Sequence, residues 1–199
     1  MKNLMSRLSL IGLLLLSVLW WMSCSEKTLA LGNGQLPGDS KASFFGSTSG
    51  GYAGWSVDGA GDVNGDGYAD ILVGMSGFGS SVPGADFLQL GGPTGWGLEK
   101  DLEQAPILKY SGEDVGELAG NSVAGVGDVN GDGYDDFLVG AQKQNSNAGA
   151  AYLVLGSAAP TSAGLLTHFK FRGQANDFAG VSVAGVGDVN GDGFDDMLV

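Results

Sequence analysis

The run GDVNGDGYAD, from Gly61 to Asp70, returns as GDVNGDGYDD from Gly127 to Asp136 and as GDVNGDGFDD from Gly187 to Asp196. Each copy spaces oxygen-bearing side chains at alternate positions and closes with a further aspartate. The first holds Asp62, Asn64, Asp66 and Asp70, and the second Asp128, Asn130, Asp132 and Asp136. The third holds Asp188, Asn190, Asp192 and Asp196. A glycine after the fifth position (Gly67, Gly133, Gly193) allows the sharp turn that such spacing needs. A hard cation bound by roughly six to eight oxygens is what this donor set suits. The Asn-Gly and Asp-Gly pairs alone would serve as tight hairpin turns. Three aspartates converging in each copy go beyond that need, because like charges so close repel unless something neutralises them.

Calcium at one ion per loop is the expected cofactor. Position seven (Tyr68, Tyr134, Phe194) can add only its backbone carbonyl, and a bidentate carboxylate or a water would complete the shell. Magnesium fits less well, since it resists losing water and demands a tight octahedron. The helix-loop-helix calcium motif needs a bidentate Glu at position twelve, where this chain has Val73, Val139 and Val199. The flanks also argue against helices. Ser122-Val123-Ala124-Gly125-Val126 before the second loop and Phe137-Leu138-Val139 after it are short β-type runs. Each loop is expected at the tip of a β-hairpin.

The first aspartates lie at 62, 128 and 188, and more than the loop repeats. Tyr52-Ala53-Gly54, Leu118-Ala119-Gly120 and Phe178-Ala179-Gly180 stand at one distance before the loops. Downstream, residues 84–91 match 149–156, and a fourth apolar segment follows at 107–112 and 167–173. Four strands per unit, repeated end to end, predict antiparallel blades of an all-β propeller. Small residues before the loop (Ala124, Gly125, Gly127) suit an innermost strand, where blades crowd the axis. Phe137, Leu138 and Val139, apolar in succession, suit a strand covered on both faces. The last strand alternates Thr167, Phe169 and Phe171 with His168, Lys170 and Arg172, as a half-exposed edge carrying charge would.

With a period near 60 residues and no Trp-Asp dipeptides, the chain from about Phe45 onward resembles the FG-GAP repeat family. In that family a loop of the Asp-x-Asn/Asp-x-Asp-Gly-x-x-Asp type joins the first two strands of each blade, and seven blades form the N-terminal head of integrin α subunits. The Phe-Gly element is degenerate here (Tyr-Ala-Gly, Leu-Ala-Gly, Phe-Ala-Gly), and the Gly-Ala-Pro element becomes Gly140-Ala141-Gln142 or Gly74-Met75-Ser76. The resulting domain reading is a signal peptide at 1–24, a tether at 25–44, and blades at 45–112 and 113–173. A partial blade follows at 174–199. Propellers close with about four to eight blades, so an incomplete propeller, a fragment of a longer protein, is expected.

Lys2 and Arg7 precede an apolar stretch from Leu8 to Met22, too short for a membrane span and suited to a secretory signal. Cys24, the only cysteine, excludes an internal disulfide. It follows Trp21-Met22-Ser23 as the acylated cysteine follows a bacterial lipoprotein signal, which would make the chain a surface lipoprotein. Cleavage after Thr28-Leu29-Ala30 would instead discard Cys24, so acylation and removal both stay open. Export agrees with calcium sites of about 10⁻⁴–10⁻³ M, a useful range outside cells.

Of the 22 acidic residues behind the net charge of −13, nine are candidate ligand aspartates of the loops, and no basic patch exists to hold nucleic acid. Nothing assembles a catalytic centre. His168 is the only histidine and is expected at the surface, and no nucleophile elbow or phosphate-binding loop occurs. In the pairs Asp135-Asp136 and Asp195-Asp196, the second is a candidate ligand and the first is expected to face solvent. Three functions fit a non-catalytic chain of this kind: an adhesion module for an extracellular protein or glycan, as the integrin resemblance implies; an accessory propeller of a longer secreted or surface enzyme acting on phospholipid or glycan; or a calcium-stiffened spacer.

Overall fold

The computed structural model describes residues 29–31, 42–77, 81–94, 96, 99–104 and 106–199. Residues 1–24, read from sequence as a signal peptide ending at Cys24, lie outside these residues. Almost all regular structure is β. The first blade is built from β3 (Ala53–Gly61), β4 (Asp70–Met75), β5 (Ala85–Gln89) and β7 (Leu108–Ser111). Each pairs antiparallel with its neighbour in space, in the order β7-β5-β4-β3. The second blade repeats this with β8 (Ala119–Gly127), β9 (Asp136–Ala141), β10 (Ala150–Val154) and β12 (Phe169–Arg172). A third hairpin joins β13 (Ala184–Gly187) to β14 (Asp196–Leu198). The architecture is that of an incomplete FG-GAP propeller, as the repeats implied.

The inner strands repeat down to their irregularities. β3 slips register between Ala53 and Ser56 and again between Gly59 and Gly61, and β8 slips at the equivalent places, Ala119/Ser122 and Gly125/Gly127. Crowding at the axis is real. A Cβ on Gly125 would come 2.2 Å from the carbonyl oxygen of Gly59, so these two strands meet backbone to backbone. Phe137, Leu138 and Val139 are all fully buried. Phe137 and Val139 join a core with Leu72, Leu88 and Tyr110 of the first blade, while Leu138 packs with Val183 of the third repeat. The Tyr110 and Phe137 rings meet edge to face at 5.2 Å, a geometry that adds attraction beyond area burial.

Two further pieces flank the first blade. β1 (Leu29–Leu31) pairs antiparallel with β2 (Ala42–Phe45), and β6 (Glu99–Asp101) pairs parallel with β2. β11 (Ala163–Gly164) pairs parallel with β7 in the same manner. Phe44 opposite Lys100 therefore matches Tyr110 opposite Ala163. After each strand comes a glycine pressed on an alanine, Gly46 on Ala53 and Gly112 on Ala119. β2 thus stands where the fourth strand of a blade stands. Residues 42–44, read from sequence as the end of a tether, belong to the folded body, and Phe44 is fully buried.

The outer strand β12 alternates, but with its sides reversed. Lys170 turns inward onto the Glu113 carboxylate at 2.5 Å and over the Tyr152 ring at 5.0 Å. Phe169 and Phe171 face outward, 62% and 40% exposed. They border a groove of about 600 Å³ shared with Leu153, Phe194 and Met197. Lys170 finds a carboxylate and an aromatic face, so the fold covers the charged side at that residue, while Arg172 stays exposed. His168 also departs from a plain surface position. It is half-buried against Tyr110, with ring centroids 5.7 Å apart, and burial pushes its pKa down.

Candidate metal loops

Each acidic loop caps the hairpin of the first two strands of its repeat: β3–β4, β8–β9 and β13–β14. The first and third positions converge on one backbone amide. Asp62 Oδ1 and Asn64 Oδ1 both accept from the Asp66 N–H, at 3.0 and 3.2 Å. Asp62 Oδ2 accepts from Gly67 at 2.8 Å, and Asp66 Oδ1 from Tyr68 at 2.9 Å. The Asn64 amide donates to Asp66 Oδ2 at 2.9 Å. The second loop reproduces this. Asp128 and Asn130 accept from Asp132, Asp128 also from Gly131 and Gly133, and Asp132 from Tyr134. In the third loop Asp188, Asn190 and Asp192 do the same with Gly191, Asp192, Gly193 and Phe194. Short polar side chains that bond amides two to five residues on make such a loop self-templating.

The ninth-position aspartates are placed differently. Asp70 is fully buried, and its oxygens accept from the amides of Val63 at 2.9 Å and Gly91 at 2.7 Å. Asp136 does likewise with Val129 at 3.1 Å and Gly156 at 2.8 Å, and Asp196 accepts from Val189 at 3.0 Å. Asp70 and Asp136 thereby tie their loops back to the blade through Gly91 and Gly156. Because that carboxylate turns inward, no three acidic, imidazole or thiol side chains form one metal-holding cluster among the described residues. The structure thus brings positions one, three and five together and sets position nine apart.

The electrostatics follow from this division. Burial, with the nearby charges of Asp66 and Asp62 adding to it, raises the Asp70 pKa against the pull of its two amide bonds. Burial pushes Asp136 to about 6, again over two amide bonds and with help from Asp132 and Asp128. At Asp128 burial pulls upward, but the amides of Gly133, Gly131, Asp132 and Asn130 outweigh it and lower the pKa. The Gly193 amide leads the same downward effect on Asp188. Ionised oxygens gathered at an exposed tip are a donor set that suits a hard cation, and in this respect the residues present fit Ca2+.

The sequence reading missed what Asp135 and Asp195 do. Neither simply faces solvent. Asp135 Oδ2 accepts from the Asp62 amide of the preceding loop at 2.7 Å, and the Asp135 amide donates to the Asp62 carbonyl at 3.2 Å. Asp195 holds Asp128 in the same two ways, at 3.1 and 3.2 Å. The available signal was the eighth position of the repeat, which is Ala69 in the first loop and aspartate in the next two.

Four-stranded antiparallel blades laid side by side, each with an acidic loop on its inner hairpin, define a β-propeller repeat protein. Comparison with known proteins agrees. The model of the FG-GAP repeat matches residues 119–154, from β8 through the second loop to β10. Integrin alpha-3 of Mus musculus is 36% identical over 106 residues, covering 50% of this chain and 9% of that protein. Integrin alpha-4 of Xenopus laevis is 30% identical over 159 residues, covering 75% and 14% respectively. Integrin alpha-PS2 of Drosophila melanogaster is 30% identical over 158 residues, covering 74% and 10%. The chain is an integrin-α-like FG-GAP repeat protein. It spans between 9% and 14% of the length of these three relatives.

Proposed function

We propose that this chain is the calcium-binding propeller part of an exported surface protein that recognises an extracellular protein or glycan. The observation that carries the reading is the arrangement of three all-oxygen loops on equivalent hairpins of integrin-like blades. Asp62, Asn64, Asp66 and the Tyr68 carbonyl would hold one Ca2+, and Asp128, Asn130, Asp132 and Tyr134 the second. Asp188, Asn190, Asp192 and Phe194 would hold the third. Asp70, Asp136 and Asp196 brace the loops from below and keep lone pairs free for coordination. Bound calcium supplies positive charge that offsets the carboxylates and stiffens the hairpin tips. Similarity to integrin alpha chains supports recognition rather than catalysis. Acylation at Cys24 would fix the chain to a cell surface. Among the described residues no helix is long and apolar enough to cross a membrane.

Two measurements test this. Calcium titration of the full chain by calorimetry should give heat with a stoichiometry near three. A screen against matrix proteins and glycans should find a ligand whose capture falls in chelator. Absence of calcium heat would remove the metal, and chelator-insensitive capture would remove its part in recognition.

A further inference from the structure

The contacts between successive loops point beyond separate calcium sites. We infer that Asp135 and Asp195 are positioning residues that set the candidate metal loop of the preceding blade, so that each loop is held in place by the blade that follows it. The metal side of this inference rests on the calcium reading above. The mechanical side does not.

Asp62 begins the first loop, and its backbone sets where its carboxylate lies. Both polar groups of that backbone are taken by one residue of the next blade, the N–H by the Asp135 carboxylate at 2.7 Å and the C=O by the Asp135 amide at 3.2 Å. A bond from an amide to an ionised acceptor is among the stronger hydrogen bonds. The fit leaves no slack, because a Cβ on Gly61 would come 2.0 Å from Asp135 Oδ2. The Tyr134 ring lies over Gly65, and the Ser157 amide donates to the Val63 carbonyl at 3.0 Å, so the second blade holds the first loop at two further points along its length.

The arrangement recurs one blade on. Asp195 clasps Asp128 at 3.1 and 3.2 Å, a Cβ on Gly127 would meet Asp195 Oδ2, and Phe194 lies over Gly131. Two copies of one contact set, built from residues 60 to 66 apart in sequence, make a chance packing arrangement a poor account. The contact also has a direction. The first loop carries Ala69 at the eighth position and has no carboxylate to reach backward with. It is clasped without clasping. Removing the clasping carboxylate should therefore free the first loop, while the second keeps its own side-chain bonds and the clasp of Asp195.

The test is amide hydrogen exchange on the full chain in chelator. Asp135→Ala should speed exchange across residues 62–68 by about tenfold or more and leave 128–134 near the parent rate. Asp135→Asn, which keeps an acceptor, should restore most of the protection. Unchanged exchange at 62–68, or equal loosening of both loops, overturns the inference. A calcium arm uses Asp132→Ala with Asp192→Ala, which leaves the first loop as the site to be titrated. There, adding Asp135→Ala should weaken calcium affinity roughly three- to tenfold, and an unchanged affinity overturns the coupling to metal. If the parent chain takes up no calcium, the metal reading fails, and the exchange result alone decides whether the clasp exists.

Discussion

Replacing Asp86 with alanine should make this protein more stable. Asp86 lies on the third strand of the first blade, opposite Gly74 on one side and Tyr110 on the other. It is fully buried, and neither carboxylate oxygen has a hydrogen-bond partner. Burial drives its pKa well above the carboxylate range, and the nearby Phe87 amide opposes only part of that. The second blade fills the same place, opposite Gly140 and Phe171, with Ala151. A methyl group is therefore already compatible with the blade.

The magnitude has two parts. An unpartnered neutral carboxyl in apolar surroundings costs about 1–3 kcal/mol. Burial also sets folding at pH 7 against an acid that ionises near 3.9 in the unfolded chain, and each pH unit by which its folded pKa is raised costs about 1.36 kcal/mol. Alanine forfeits some packing, about 1–2 kcal/mol for the volume lost. A net gain of about 2 kcal/mol at pH 7 is expected. The sign with pH follows from a raised folded pKa. The acid's contribution is fully present below about pH 4 and is lost as pH rises toward the folded value. The advantage of Asp86→Ala should therefore widen from pH 4 to pH 7. Urea unfolding of both chains in chelator, followed by circular dichroism at the two pH values, measures it. A variant less stable by 1 kcal/mol or more at pH 7, or an advantage that does not grow with pH, would refute the reasoning.

Glu117 offers a second pH test away from the loops. Burial lifts it to about 7, one of its oxygens has no partner, and the other accepts from the Glu113 amide at 2.5 Å. Stability from its protonated form should be full below about pH 4.5 and lost through pH 7, so Glu117→Gln should match the parent at pH 4 and exceed it by about 3 kcal/mol at pH 8. Equal pH slopes in urea unfolding would contradict this. Phe137→Ala, at the seam of the first two blades, should cost about 3–5 kcal/mol, and a loss under 1 kcal/mol would mean that the seam is not the core. Chelation should lower the melting temperature, since sites of about 10⁻⁴–10⁻³ M in 10 mM calcium contribute about 1.4–2.7 kcal/mol each. Identical melting curves would count against a structural metal.

What the sequence disclosed and what it hid divide along contact range. The hairpin tips were legible because Asp62, Asn64, Asp66 and Gly67 act within a few residues of one another, and local spacing encodes local turns. Three successive apolar residues at 137–139 likewise predicted burial on both faces, which holds. The fourth-strand role of β2 was hidden because Ala42–Phe45 carries no loop of its own. Its parallel partner, Glu99–Asp101, comes from more than 50 residues away. The inward turn of Lys170 depended on Glu113, 57 residues earlier in the chain. Asp135 is the sharpest case. Within its own loop it is a spare carboxylate beside Asp136, and only the neighbouring blade, whose Asp62 amide it holds, gives it a task. A repeat read one copy at a time conceals such contacts. Setting Ala69, Asp135 and Asp195 side by side exposes them, because the residue that varies with place in the array is the one that answers to the adjacent blade.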